Sequence, residues 1–205
     1  MRSRRSIVPA GVLLWLIPQA AYAHGSLEGV GDFYAGLLHP VVVPAELLAI
    51  VASGLLIGRS GLSTCRRAIP TLAGAVAAGL VLASKVASVP DMTTPLTLVA
   101  LVAAAVVTTG LRAPVWIAAW VASGLAMLAG LAVGLDAAPE TNALFGALVS
   151  GIATLLGSTA LITIVAALAL RADKHWQRIA AQVAGSWITA SAVLYLAHQL
   201  VTSTR

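Results

Sequence analysis

The chain has 205 residues, of which 60% are hydrophobic and only 9% charged, with a formal net charge of +5. A soluble domain of this length carries about 25% charged residues, so these proportions exclude a water-exposed globular surface and imply helices that face lipid and one another. The basic residues are spread through short loops rather than gathered in a stripe with interleaved aromatics, which speaks against nucleic acid as a partner.

The chain opens with MRSRRS, a basic segment, followed by the apolar IVPAGVLLWLIP and the small-x-small step AYA just before His24. This order is that of a secretory signal peptide over residues 1–23. The alternative is an uncleaved first transmembrane helix. That would need about 20 apolar residues, and Pro18 with Gln19 ends the run early. With cleavage after Ala23, a single transmembrane domain over residues 24–205 begins at His24 on the outer side of a bacterial-type inner membrane.

Beyond His24 the apolar segments predict an all-α bundle of six transmembrane helices, at approximately 35–58, 69–89, 95–111, 114–135, 143–170 and 178–200. Each approaches the length a crossing needs, and only helices satisfy their own backbone in lipid. Loop charge orients them. Arg59, Arg66 and Arg67 fall in the first loop, Arg112 in the third, and Arg171, Lys174 and Arg178 in the fifth. The other two loops hold Asp91, Asp136 and Glu140 and no Lys or Arg. Basic loops stay in the cytoplasm, which places both mature termini outside. Runs such as LAGAVAAGL and FGALVSGIATLLGSTA predict close helix packing through small residues. Cys65 is the single cysteine, so no internal disulfide forms.

The first span carries the chemistry, in the stretch FYAGLLHPVVVPAELLAI. Glu46 follows His39 by seven residues, close to two turns and about 10 Å along a regular helix. Pro40 and Pro44 interrupt that regularity and free backbone carbonyls, which is tolerated only inside protein or along a wet cavity. An unpaired carboxylate at that depth is costly. Lys85, in the second span at comparable depth, is the expected partner in an intramembrane ion pair with Glu46. Such a pair either locks two helices, with Lys85 reaching outward, or lines a polar cavity that handles a substrate or protons. His24 offers an α-amine and an imidazole, and with His39 and Glu46 it forms a candidate outer metal site. His175 is expected in solvent, and His198 at the membrane interface or in packing.

The text AHGSLEGVGDFYAGLLHPVVVPAELLAIVASGLLIG, with a Phe-x-x-Gly-Leu-x-His-Pro element, resembles the HupE/UreJ family. The closing RIAAQVAGSWITASAVLYLA is similar to that family's last helix. The resemblance implies a small multi-pass protein that supplies nickel to hydrogenase or urease, acting on a transported divalent metal rather than a bound cofactor. It also implies a metalloenzyme-maturation or other membrane partner beside the bilayer itself. His39 and Pro40 match the family pattern. Its Gly-x-Asp-His step reads Val43, Pro44, Ala45, Glu46 here, and the His/Glu motif expected in a later helix is missing from 95–170.

Two functions compete: a permease or accessory protein for a cation such as nickel, and a non-transporting subunit or assembly factor with a degraded metal site. With no phosphate-binding glycine loop, no HExxH and no nucleophile elbow, the chain is not expected to be an enzyme.

Overall fold

A computed structural model describes residues 31–86, 88–110, 114–137 and 144–203. The signal peptide expected over 1–23, and His24 with it, lie outside the described residues. Among the described residues seven helices follow in order: α1 Asp32–Val42, α2 Pro44–Arg59, α3 Leu62–Ala83, α4 Thr93–Thr109, α5 Val115–Asp136, α6 Leu144–Leu170 and α7 His175–Ser203. No strand occurs among the described residues.

Four helices (α3, α5, α6 and α7) are long and apolar enough to cross a membrane. The bent pair α1 and α2 makes a fifth crossing if it is counted as one span, and α4 is a shorter apolar helix. The chain is a multi-pass membrane protein. The expected span at 35–58 is therefore not one continuous helix. Val43 sits in extended conformation between α1 and α2, and the two meet at 68°. The cause is local, because a residue preceding proline is pushed out of the helical region, and Pro44 then starts α2 at a position where no N–H is needed.

The second span is also displaced. Helix α3 starts at Leu62, so that Arg66 and Arg67 are helical, and it ends at Ala83, not near 89. Ser84 stops it, with Oγ donating to the Val81 carbonyl at 2.7 Å.

Packing is set by small residues. A Cβ on Gly130 or Gly134 of α5 would meet the carbonyl oxygen of Leu72 or Val76 on α3, and one on Gly79 would meet that of Leu131. Helices α1 and α2 lie against α6 in the same manner. Gly36 faces the Ser150 carbonyl, Gly157 the Leu37 carbonyl and Gly58 the Ala166 carbonyl. Contacts of this kind require backbones to touch, which is how helices associate where no hydrophobic effect separates lipid from side chain. Helix α6 shows the consequence for the rest of its surface. Leu148, Ile152, Leu156, Ile164 and Leu168 form an exposed stripe, while Ala153, Thr154, Gly157 and Ser158 are buried. Large apolar side chains face the lipid and small ones face the protein.

Candidate metal centre

The 68° bend brings together what a straight helix would hold apart. His39 stands in the last turn of α1 and Glu46 in the first turn of α2. Across the bend, His39 Nε2 lies 3.2 Å from Glu46 Oε1. A carboxylate in the first turn also sits at the positive end of the α2 dipole, which helps explain a Glu side chain with no exposed surface. Pro40 is buried beside them, and together the two prolines remove the helical donors for the carbonyls of Gly36 and Pro40.

A third group arrives from α5. Asp136 is the last residue of that helix, and its Oδ2 lies 4.0 Å from His39 Nε2. One ligand atom from each of His39, Glu46 and Asp136 lies within 4.8 Å of the other two. His39 and Asp136 keep 29% and 16% of their side chains exposed, so the cluster is closed at Glu46 and open on one side. His39 Nε2 and both Glu46 carboxylate oxygens are buried without a hydrogen-bond partner. His39 and Glu46 therefore meet at ion-pair distance without hydrogen-bond geometry. Buried polar atoms are ordinarily satisfied, and three that converge unsatisfied have the character of a ligand set. Two ligands about 2.1 Å from one ion at the tetrahedral angle stand about 3.4 Å apart, a value between the 3.2 Å and 4.0 Å at which His39 Nε2 meets Glu46 and Asp136.

The expected pairing of Glu46 with Lys85 is not formed. Lys85 lies exposed in the turn after α3, because that helix ends sooner than its hydropathy suggests, and the basic partner of Glu46 is His39. Asp136 is the residue that sequence reasoning missed. In sequence it belongs to the acidic outer loop, and the family's later-helix motif is one of His and Glu. The one signal that pointed to it was topology, which put DAAPETN on the same side as His39. His175 and His198 are both exposed on α7 and take no part in the cluster.

The fold and this cluster define a class: a multi-pass helical membrane protein with an imidazole and two carboxylates gathered near one end of the bundle. Compared with known families, the chain matches HupE / UreJ protein over residues 12–195, and it belongs to that family. No curated protein and no solved structure matches it.

Proposed function

We propose that the chain is an inner-membrane permease or accessory protein for a divalent transition-metal cation such as nickel, and that His39, Glu46 and Asp136 receive the cation on the outer side. The convergence of these three donors within 4.8 Å carries the proposal. A neutral imidazole with two carboxylates presents charge −2, which a divalent ion neutralises, and imidazole favours nickel, copper or zinc over magnesium or calcium. In the six-span topology the basic loops are cytoplasmic, so the cluster faces the compartment from which a scarce metal is drawn. His24 adds an outer ligand upstream, and the captured ion serves maturation of a metalloenzyme.

The test is cellular metal uptake under limitation, with bound-metal analysis of the purified protein. Imidazole binds metal only when neutral, so uptake should fall as the medium is acidified. His39→Ala should abolish uptake and its pH dependence. His24→Ala should weaken uptake less, since the α-amine remains, and His175→Ala should change neither property. Unchanged nickel, cobalt and copper contents in His39→Ala cells would leave the non-transporting assembly subunit as the function.

A further inference from the structure

A serine or threonine hydroxyl buried in a helix ordinarily donates to the carbonyl four residues back. Thr64, Thr97, Thr154 and Ser158 are buried and all do so, to the carbonyls of Ser60, Thr93, Ser150 and Thr154. Ser53 of α2 does not. Its side chain has no exposed surface, yet its Oγ has no hydrogen-bond partner. An unsatisfied buried hydroxyl is costly to keep, and alanine would fill the same helical position without that cost.

Its place on α2 gives the hydroxyl a use. Seven residues fall about 20° short of two full turns, so Glu46, Ser53 and Ser60 follow one face of the helix at intervals of about 10 Å. Glu46 belongs to the candidate metal centre at one end. Ser60 is the C-cap at the other, in helical conformation, and lines a cavity of about 620 Å³ among the ends of α2, α4, α5, α6 and α7. Ser53 stands midway. Helix α5 repeats the spacing from Asp136 with Ala129 and Ala122, both buried, and its Ala118 lines the same cavity. The two helices that carry the carboxylates thus lead to one cavity. Ile50 and Ile57, about one turn to either side of Ser53 and without exposed surface, close the way between the two ends.

We propose that Ser53 is the midway contact of a cation route along this face of α2, from the candidate metal centre to the cavity at the far end; the inference rests on the permease reading. A divalent ion that leaves two carboxylates for an apolar interior loses its ligand oxygens, and charge without a polar contact is costly there. Ser53 Oγ offers lone pairs to the ion, or to a water of its shell, at the half-way point, and no internal hydrogen bond has to break first. A neutral hydroxyl eases passage without holding the ion, as conduction requires.

The experiment uses the purified full chain. Nickel affinity is measured in non-ionic detergent, and nickel flux in liposomes loaded with a nickel-sensitive dye at a fixed membrane potential. Ser53→Ala should keep the wild-type affinity and an unfolding midpoint no lower than wild type, since Oγ has no partner to lose. It should lower the initial flux roughly tenfold, the equivalent of one lost contact to a charged group. Ser158→Ala, which removes a hydroxyl bonded within α6, should keep the wild-type flux. Ser53→Cys in a Cys65→Ala background places a soft ligand on the route, so silver ion should stop its flux and spare that of Cys65→Ala alone. Wild-type flux in Ser53→Ala, loss of affinity together with flux in that variant, an equal loss of flux in Ser158→Ala, or equal silver sensitivity with and without Ser53→Cys would each overturn the route and leave the permease reading standing. Nickel binding without flux in the wild-type chain would overturn both.

Discussion

Replacing Asp136 by Asn should make the metal-free protein more stable, although it removes one of the three proposed ligands. Ligand oxygens of Glu46 and Asp136 lie within 4.8 Å of each other. At an effective dielectric of about 20, two like charges at that distance repel by about 3.5 kcal/mol or more. Asp136 is partly exposed, and screening lowers the expected gain to about 1–3 kcal/mol. For a chain of this size that raises the unfolding midpoint by roughly 2–12 °C, at about 2–4 °C per kcal/mol. The measurement is thermal unfolding in detergent at pH 8 with a chelator present. Two further arms sharpen it. Saturating nickel should reverse the order, because a ligand at 1,000 times its Kd adds about 4.1 kcal/mol and the variant loses most of that. Once acid protonates His39 it becomes a cation 4.0 Å from Asp136, an attraction of about 4 kcal/mol on the same scale, so the advantage of Asn should vanish there. A midpoint at pH 8 that is unchanged or lowered in metal-free Asp136→Asn would refute the picture of two confronting carboxylates.

Pro44→Ala should let α1 run on into α2, which would place His39 and Glu46 about 10 Å apart along one axis. Metal binding should then fail although all three ligands remain, and circular dichroism should show no loss of helix. Gly134→Ala should cost about 1–3 kcal/mol, since its Cβ would meet the Val76 carbonyl. Gly124→Ala on the same helix meets nothing within 4 Å and should be neutral or stabilise by up to about 1 kcal/mol, as read by paired unfolding curves. Reporter fusions after Arg67 and Arg171 should be cytoplasmic and those after Asp91 and Asp136 external. An external Arg67 would invert the orientation on which the outer position of the candidate metal centre depends.

Hydropathy made the all-helical membrane class legible, the Phe-x-x-Gly-Leu-x-His-Pro element made the family legible, and the proline-interrupted apolar run singled out His39 and Glu46, because each is a local property of the chain. The bend was half legible. Two prolines announced an interruption, but its angle, and the approach of His39 to Glu46 across it, depend on how α1 and α2 pack against α6. Lys85 was misplaced because apolar content does not mark where a helix begins and ends. The segment carrying Arg66 and Arg67 is polar enough to read as a loop, yet it forms the first turns of α3. Asp136 was hidden for a different reason. A carboxylate at a helix terminus looks like any loop charge until the third dimension shows what stands opposite it.

Helix α2 has a consequence for voltage. Its 16 residues extend about 24 Å, less than the roughly 30 Å of a hydrocarbon core. Glu46 stands in its first turn and Arg59 in its last, with the cluster of His39, Glu46 and Asp136 at one end and a cationic side chain at the other. The apolar layer between these two charged ends is thus thinner than the bilayer surrounding it. It is built of Ala49, Ala52, Ser53 and Gly54 alongside Ile50, Leu56 and Ile57, all buried. A divalent ion that the proposed permease moved across the full potential would exchange about 4.6 kcal/mol for each 100 mV, and the low-dielectric stretch beside its path would have the length of this one helix rather than of the full bilayer.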